Sequence, residues 1–460
     1  MKKIEVAIIG AGSGGLSARR EVSKKTDNYL VFDHGILGTT CARVGCMPSK
    51  VLIQAANDFH RRIKLEQQGI QGAEALSLDD TKLMKHVRSL RDRFVRGVTG
   101  SMESWMKTHF VPHKVQFVDS HTFIANEETY YAEKIIMATG SKPFIPNVYL
   151  GAHEKIITTD EFFELEKLPE KIAVVGIGVI GLELGQALHR LGKKVTFFAR
   201  RPVYAGITDP IINEYIDKKM QEELNICFED VVATNIENDK AIIQTKSEKI
   251  EVDGILMCSG RRPVLENIGL ENVISEGVVE FDKTTFQLQK YPHIFIAGDM
   301  TGEKQILHEA SDEGRIAGYN AVNDVKKFKT RTPLGITFSD PNIAMIGKSY
   351  KELVDENISF ETGSVTFEGQ GRSIIKLKEI GLLNIYGDKS TGKILGCELF
   401  APEGEHLAHL ISWVIEQGLT AQDVLALPFY HPVVEEGLRT AIRDLKEKCN
   451  IETLLEVKEL

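Results

Sequence analysis

Cys41 and Cys46 stand in the segment GTTCARVGCMPSK, residues 38–50, separated by only four residues, while the other four cysteines of the chain are scattered singly. Six cysteines in 460 residues do not make a disulfide framework. In a reducing compartment a close pair is catalytic or metal-binding more often than structural. Zinc would require four ligands and a second short-spaced pair, and none is placed to complete the set. His406 and His409 lie three apart on a helical pattern and read as a helix surface, so no metal is expected. A redox dithiol explains more. Pro48 suits the first turn of a helix, which puts Cys46 near a helix N-terminus, where the dipole favours a thiolate. Lys50, one turn on, adds positive charge, and Gly45 lets the loop bend so that the two sulfurs can meet.

A dithiol needs a partner for its electrons, and the flanking sequence supplies one. The apolar run IEVAIIG (4–10) leads into Gly10, Gly12 and Gly15 with GxGxxG spacing, with Gly14 inside it. The helical pattern LSARREVSKK follows, and the strand YLVFD ends in Asp33. Such a turn lets the backbone approach a pyrophosphate at a helix N-terminus, and the acid can accept hydrogen bonds from a ribose. The plan then repeats: KIAVVG, Gly176, Gly178 and Gly181, the helical LELGQALHRLG, and the strand KVTFFA. IIMATGSKP (135–143), with Thr139 and Gly140, matches ILMCSGRRP (255–263), with Gly260, position for position in character. An internal duplication implies two dinucleotides. A nicotinamide cofactor beside FAD is the natural pairing.

The copies differ. The first is longer, and its extra chain holds the cysteine pair and two helical segments; in the second of these Leu83, Val87, Leu90 and Phe94 recur at helical spacing as one buried stripe. The second lacks the acid. Ala199 stands at the interval from Gly178 that separates Asp33 from Gly12, and Arg200 and Arg201 follow. An absent carboxylate with two guanidinium groups suits a 2′-phosphate and so leans towards NADP; the alternative is a solvated arginine pair on a surface turn. After HIFIAGDM, ending in Gly298 and Asp299, the chain changes character. The strand-like runs LGITF, LLNIYG and ILGCELF are followed by the helical patterns GEHLAHLISWVIEQG and VEEGLRTAIRDLKEK, which describe a separate α+β domain.

Composition fits this reading. Apolar content of 42%, charged content of 26% and 39 glycines describe a globular chain, and a formal charge of −9 argues against nucleic acid and anionic membranes as partners. No apolar run is long enough to span a bilayer, and a cytoplasmic location is expected.

Two glycine motifs, the CxxxxC loop ending in CMPSK, ATGSKP, AGD and the C-terminal HPVVEE together resemble the flavin-dependent pyridine nucleotide-disulfide oxidoreductases over essentially the whole chain. The wording GLELGQAL, LHEASDEGRIAGYNA and GLRTAIRDL is most similar to the dihydrolipoamide dehydrogenase branch. The resemblance implies an α/β fold with two Rossmann-like dinucleotide-binding domains and a C-terminal α+β dimerisation domain. The expected segments are 1–147 (FAD domain, first part), 148–265 (NAD(P) domain), 266–330 (FAD and central domain, second part) and 331–460 (dimerisation). It implies Cys41 as the interchange thiol, Cys46 as the charge-transfer thiol, and Lys50 near the flavin's reactive nitrogen, paired with Glu183. Gly10, Gly12, Gly14, Gly15, Asp33, Gly38, Thr40, Lys50, Thr139, Gly140, Gly298 and Asp299 are implied to hold FAD. The nicotinamide cofactor falls to Gly176, Gly178, Gly181 and Gly260, and the resemblance implies NAD, whereas Ala199, Arg200 and Arg201 at the same site lean towards NADP. His431 becomes the catalytic base and Glu436 the acid that orients it, each reaching the cysteines of the other subunit of a homodimer. A histidine suits that role, since dithiol exchange near neutral pH needs a proton acceptor; the bland alternative is a residue capping the next helix.

Departures from the family pattern bear on the substrate. Thr39 replaces a second glycine and narrows backbone freedom, Arg43 adds a charge between the cysteines, and Val433, Val434 and Glu435 replace a Thr, apolar, Ser series. Dihydrolipoamide is the leading substrate, free or on a lipoyl protein. The rivals are an NADPH-dependent reductase of glutathione-reductase type and a non-catalytic flavin-scaffold binding protein. Mercuric reductase is disfavoured because Cys449 stands alone near the C-terminus.

Overall fold

The apolar run at the N-terminus forms the strand Lys2–Ile9, in which Val6, Ala7 and Ile8 are wholly buried, as expected of a parallel strand covered on both faces. The computed structural model describes residues 1–266, 268–269, 279–449, 451 and 455–457. Lys2–Ile9 pairs in parallel with Tyr29–Phe32 on one side and Glu128–Met137 on the other. Ile294–Ile296 joins the same sheet, parallel to the end of Glu128–Met137, so the chain returns to its first unit after building the second. The second sheet runs Asn225–Cys227, Lys194–Phe198, Lys171–Val175, Gly254–Met257 and Ile156–Ile157, all parallel. A short antiparallel ribbon, Ser141–Pro143 against Arg261–Pro263, ties the matching ends of the two units together.

The C-terminal part is a five-stranded antiparallel sheet in the order Leu334–Thr337, Asn342–Gly347, Ile394–Ala401, Leu382–Asp388 and Phe360–Thr366. The helices Gly404–Glu416 and Glu436–Lys448 accompany it. Two of its strands lack a sequence signature. Phe360–Thr366 is a polar edge strand, and its Gly363 fits because a Cβ there would come within 2.1 Å of the Ala441 carbonyl oxygen in the last helix.

The long helix Asp80–Gly100 buries Leu83, Met84, Val87 and Arg91, while Leu90 and Phe94 are only half-buried. The expected stripe is therefore rotated. Arg91 takes the place of an apolar residue because its guanidinium is neutralised by Asp92 and Glu164. Among the described residues no helix is long and apolar enough to cross a membrane.

Buried carboxylates join the second nucleotide unit to the C-terminal sheet. Glu398, wholly buried, accepts the amides of Thr208 (2.7 Å), Asp209 (2.9 Å) and Tyr350 (2.9 Å). Asp209 in turn accepts Asn384 Nδ2 at 2.7 Å and the Tyr386 hydroxyl at 2.8 Å. Buried charge is tolerated when its lone pairs are filled in this way.

Candidate redox and nucleotide sites

Cys41 lies in the short helix Thr40–Val44, and Cys46 is the first residue of the helix Cys46–His60, with Pro48 in its first turn. The two thiols are hydrogen-bonded to each other. As the donor of that bond, Cys41 has its pKa pushed up, with burial adding to the effect. As the acceptor, Cys46 is lowered to about 7; the Lys50 charge helps to outweigh the opposing effect of burial. The pair is thus polarised, one sulfur kept as thiol and the other poised as thiolate.

Thr39, immediately before, adopts φ 64° and ψ 150°, a region that glycine occupies freely and other residues rarely. Its hydroxyl accepts the Ala42 amide at 3.3 Å, which helps to hold it there. The backbone therefore keeps a glycine-like path despite the lost glycine. The Arg43 Nε is buried without a hydrogen-bond partner among the described residues.

Lys50 Nζ lies 2.7 Å from Glu183 Oε2 and 4.5 Å from the centre of the Phe338 ring. Glu183 is nearly buried, and its other oxygen accepts the Phe338 amide at 3.0 Å. Three parts of the chain thus meet at one ammonium group.

The two glycine turns are near-identical. A Cβ at Gly15 would lie 1.9 Å from the Gly10 carbonyl oxygen, and one at Gly181 would lie 2.0 Å from that of Gly176. By contrast, a Cβ at Gly12 or Gly178 would meet nothing within 4 Å among the described residues. Each loop is closed against its own helix and open at the helix N-terminus, the cradle that a pyrophosphate fills. Gly140 and Gly260 are likewise open and carry positive φ. Asp33 accepts the Ala11 amide (2.7 Å) on Oδ2 and the Gly35 amide (2.7 Å) on Oδ1, so it braces the first turn. Asp299 Oδ2 accepts the Ser141 hydroxyl at 2.5 Å, and Gly298 donates its amide to Glu313 at 2.7 Å. Gly14 packs beside Ala310 and Gly314 of the helix Leu307–Ala321. Gly38 is buried with φ 119°, and Thr40 is exposed at the start of its helix. The Thr139 hydroxyl donates to the Val264 carbonyl at 2.8 Å, so its side chain ties the two units together rather than standing free. FAD fits this donor set in the first unit and a pyridine nucleotide fits the second.

Ala199 follows the strand Lys194–Phe198 directly, and Arg200 and Arg201 are exposed with no carboxylate partner among the described residues. His431 Nδ1 lies 2.9 and 3.1 Å from the two oxygens of Glu436, which also accepts the Val433 amide at 3.1 Å. The histidine therefore faces a carboxylate rather than capping the helix. Its side chain is 79% exposed, and among the described residues no hydrogen bond joins it to either cysteine of the same chain. Cys449 is buried, with its sulfur 3.7 Å from the Asp388 carbonyl oxygen.

Residues 4–314 match the pyridine nucleotide-disulphide oxidoreductase family, and residues 334–442 match the dimerisation domain of the same family. The chain belongs to the pyridine nucleotide-disulphide oxidoreductases. Its relatives include mitochondrial dihydrolipoyl dehydrogenase of Rattus norvegicus, 28% identical over 467 residues and covering 95% of this chain and 89% of that one. Dihydrolipoyl dehydrogenase of Geobacillus stearothermophilus is also 28% identical, covering 94% of each. Mercuric reductase of Bacillus cereus is 26% identical, covering 95% of this chain and 70% of its own. Among solved structures, LpdA from Mycobacterium tuberculosis superposes with a TM-score of 0.83 at 21% identity, over 96% of this chain and 99% of that one. At 21% identity that likeness speaks to fold. This oxidoreductase is thus an FAD enzyme that uses a pyridine nucleotide and is similar to dihydrolipoyl dehydrogenases. It carries the family's dimerisation domain.

Sequence reasoning missed Phe338, Gln186, Arg190, Asp340 and Glu313. A signal existed for two of them: Gln186 and Arg190 follow Glu183 at i+3 and i+7 and so share its helix face.

Proposed function

We propose that this oxidoreductase takes electrons from dihydrolipoamide through Cys41 and Cys46. The polarised pair carries the reading, because a low-pKa sulfur beside a high-pKa one is the asymmetry that dithiol exchange requires. His431, oriented by Glu436, removes a proton from the substrate dithiol. The resulting thiolate attacks the Cys41 sulfur of the Cys41–Cys46 disulfide, and Cys46 leaves as the thiolate that Lys50 stabilises. The second substrate thiol then gives its proton to solvent and attacks the first substrate sulfur, and Cys41 leaves, taking from His431 the proton removed in the first step, as the cyclic disulfide product departs. Bound FAD supplies two-electron chemistry between this dithiol and the nicotinamide. Gly10, Gly12, Gly14, Gly15, Asp33, Gly38, Thr40, Gly140, Gly298 and Asp299 hold it, while Gly176, Gly178, Gly181 and Gly260 receive the nicotinamide cofactor.

The exposure of His431 supports an active site completed by the second subunit of a homodimer. The return of Ile294–Ile296 to the first sheet supports a four-segment division at about residues 147, 265 and 330. One observation favours a second reading: unpaired Arg200 and Arg201 beside Ala199 suit the 2′-phosphate of NADPH, which would run the enzyme as a disulfide reductase. Steady-state assays crossing NAD(H) and NADP(H) with lipoamide and glutathione, in both directions, test both readings. Turnover of glutathione but not of lipoamide would overturn the first, and equal rates with the two nucleotides would overturn the second.

A further inference from the structure

The helix Val179–Arg190 turns one polar face, Glu183, Gln186 and Arg190, towards the segment Phe338–Asp340 that precedes the second strand of the C-terminal sheet. Every residue of that face is bonded to it. Glu183 accepts the Phe338 amide. Gln186 accepts the Asp340 amide at 2.9 Å and donates to the Asp340 carbonyl at 3.1 Å. Arg190 reaches Asp340 twice, at 2.9 Å to Oδ2 and 2.7 Å to the carbonyl oxygen. A third contact crosses to the cysteine helix: Arg190 Nη1 donates to Asn57 Oδ1 at 2.9 Å. Asn57 follows Lys50 by the same two turns that separate Arg190 from Glu183. The two helices are therefore pinned at two levels, Lys50 to Glu183 and Asn57 to Arg190, with Phe338–Asp340 laid across both.

We propose that Gln186 and Arg190 are positioning residues which, by gripping Asp340, hold Phe338 and Glu183 in place and thereby fix the Lys50 ammonium beside the cysteine pair. Charge balance suits a permanent latch. The Arg190 guanidinium is also paired with Glu223 at 2.7 Å, and Asp340 takes Lys378 at 3.0 Å. The remaining charged neighbours are Lys64 and His60, whose ring burial and the Arg190 charge keep neutral by lowering its pKa to about 4. The latch is thus built from paired charges, Arg190 with Glu223 and Asp340 with Lys378, beside a neutral His60.

The inference rests on the roles given above to Lys50 and Cys46, and the test separates the two. The reduced holoenzyme is titrated with pH while its long-wavelength thiolate–flavin absorbance is followed, alongside flavin content and melting temperature. Lys50→Met, the reference, moves the midpoint upward because the thiolate loses its countercharge. Gln186→Leu and Arg190→Met are expected to raise it by about one pH unit with FAD retained, and Arg190→Lys to recover most of that shift. If Lys50→Met moves the midpoint while Gln186→Leu and Arg190→Met lower only the melting temperature, the latch is merely structural and the inference falls. If Lys50→Met itself leaves the midpoint unmoved, the roles of Lys50 and Cys46 fall, and the inference with them.

Discussion

The two nucleotide units share a backbone and differ in what they add to it. Gly10 donates its amide to Phe32 and Gly176 to Phe198, both at 2.8 Å, so each glycine turn is hung from the second strand in the same way. The helix-start residues agree too, with Gly12 at φ −78° and ψ −171° and Gly178 at φ −73° and ψ −175°. Yet the strand after the first turn ends in Asp33, bonded back to the Ala11 amide, and the strand after the second ends in Ala199, whose own amide goes to the Cys227 carbonyl. The closure of each turn on its helix is set by the backbone at Gly15 and Gly181, whereas the residue after the second strand is a side chain that differs between the units. Only the first unit carries the inserted cysteine helix. The two units thus share one turn and differ in the side chain that follows it and in the inserted helix.

Breaking the chemistry in one unit should leave the other intact. Cys41→Ser and Cys46→Ser are expected to abolish dithiol turnover while NAD(P)H-driven reduction of an artificial dye persists, measured on the same preparation. His431→Gln should lower dithiol turnover by about 10²- to 10⁴-fold with the same dye activity. Loss of dye reduction in any of these would mean that the units are not separable. The cradles offer a matched pair of variants. Gly15→Ala, forcing a Cβ to 1.9 Å from the Gly10 carbonyl, should strip FAD, whereas Gly181→Ala should keep FAD and raise the KM for the nucleotide; flavin absorbance and nucleotide kinetics distinguish them. Replacing Ala199 by Glu and Arg200 by Ala should shift the NADPH-to-NADH preference roughly tenfold or more, each charged hydrogen bond being worth about 1.5–3 kcal/mol. The cysteine pair gives a pH test: Cys46, lowered to about 7, loses its thiolate as pH falls through that value, so the long-wavelength band of the reduced enzyme should fade on the acid side of neutrality. The smallest effect belongs to Thr39→Gly. It relieves a positive φ but loses the Ala42 cap, and these offset to a net change below about 1 kcal/mol by chemical denaturation.

Both glycine turns, Asp33 at a strand end and Cys46 at a helix start were legible because each depends on neighbours within a few residues. Thr39 is legible only in part. A missing glycine does restrict the chain, but a local hydroxyl–amide bond kept the glycine path, and no rule of composition anticipates that compensation. The stripe of Asp80–Gly100 was displaced for a related reason: periodicity finds an apolar face, but Arg91 was buried by Glu164, 73 residues away. Phe338 and Asp340 were illegible on the same ground, since their partners on the helix Val179–Arg190 lie about 150 residues earlier. The sequence shows which face of that helix is polar; only the fold shows what it grips.

Glu398 and Asp209, buried and fully bonded, fasten the second nucleotide unit to the C-terminal sheet. Separate domains are ordinarily expected to move against each other, but here any swing would strand two carboxylates in a dry seam. Heating should report the same rigidity: the two parts would give way in one calorimetric peak, and amide exchange at Thr208 and Tyr350 would be as slow as in the centres of the sheets.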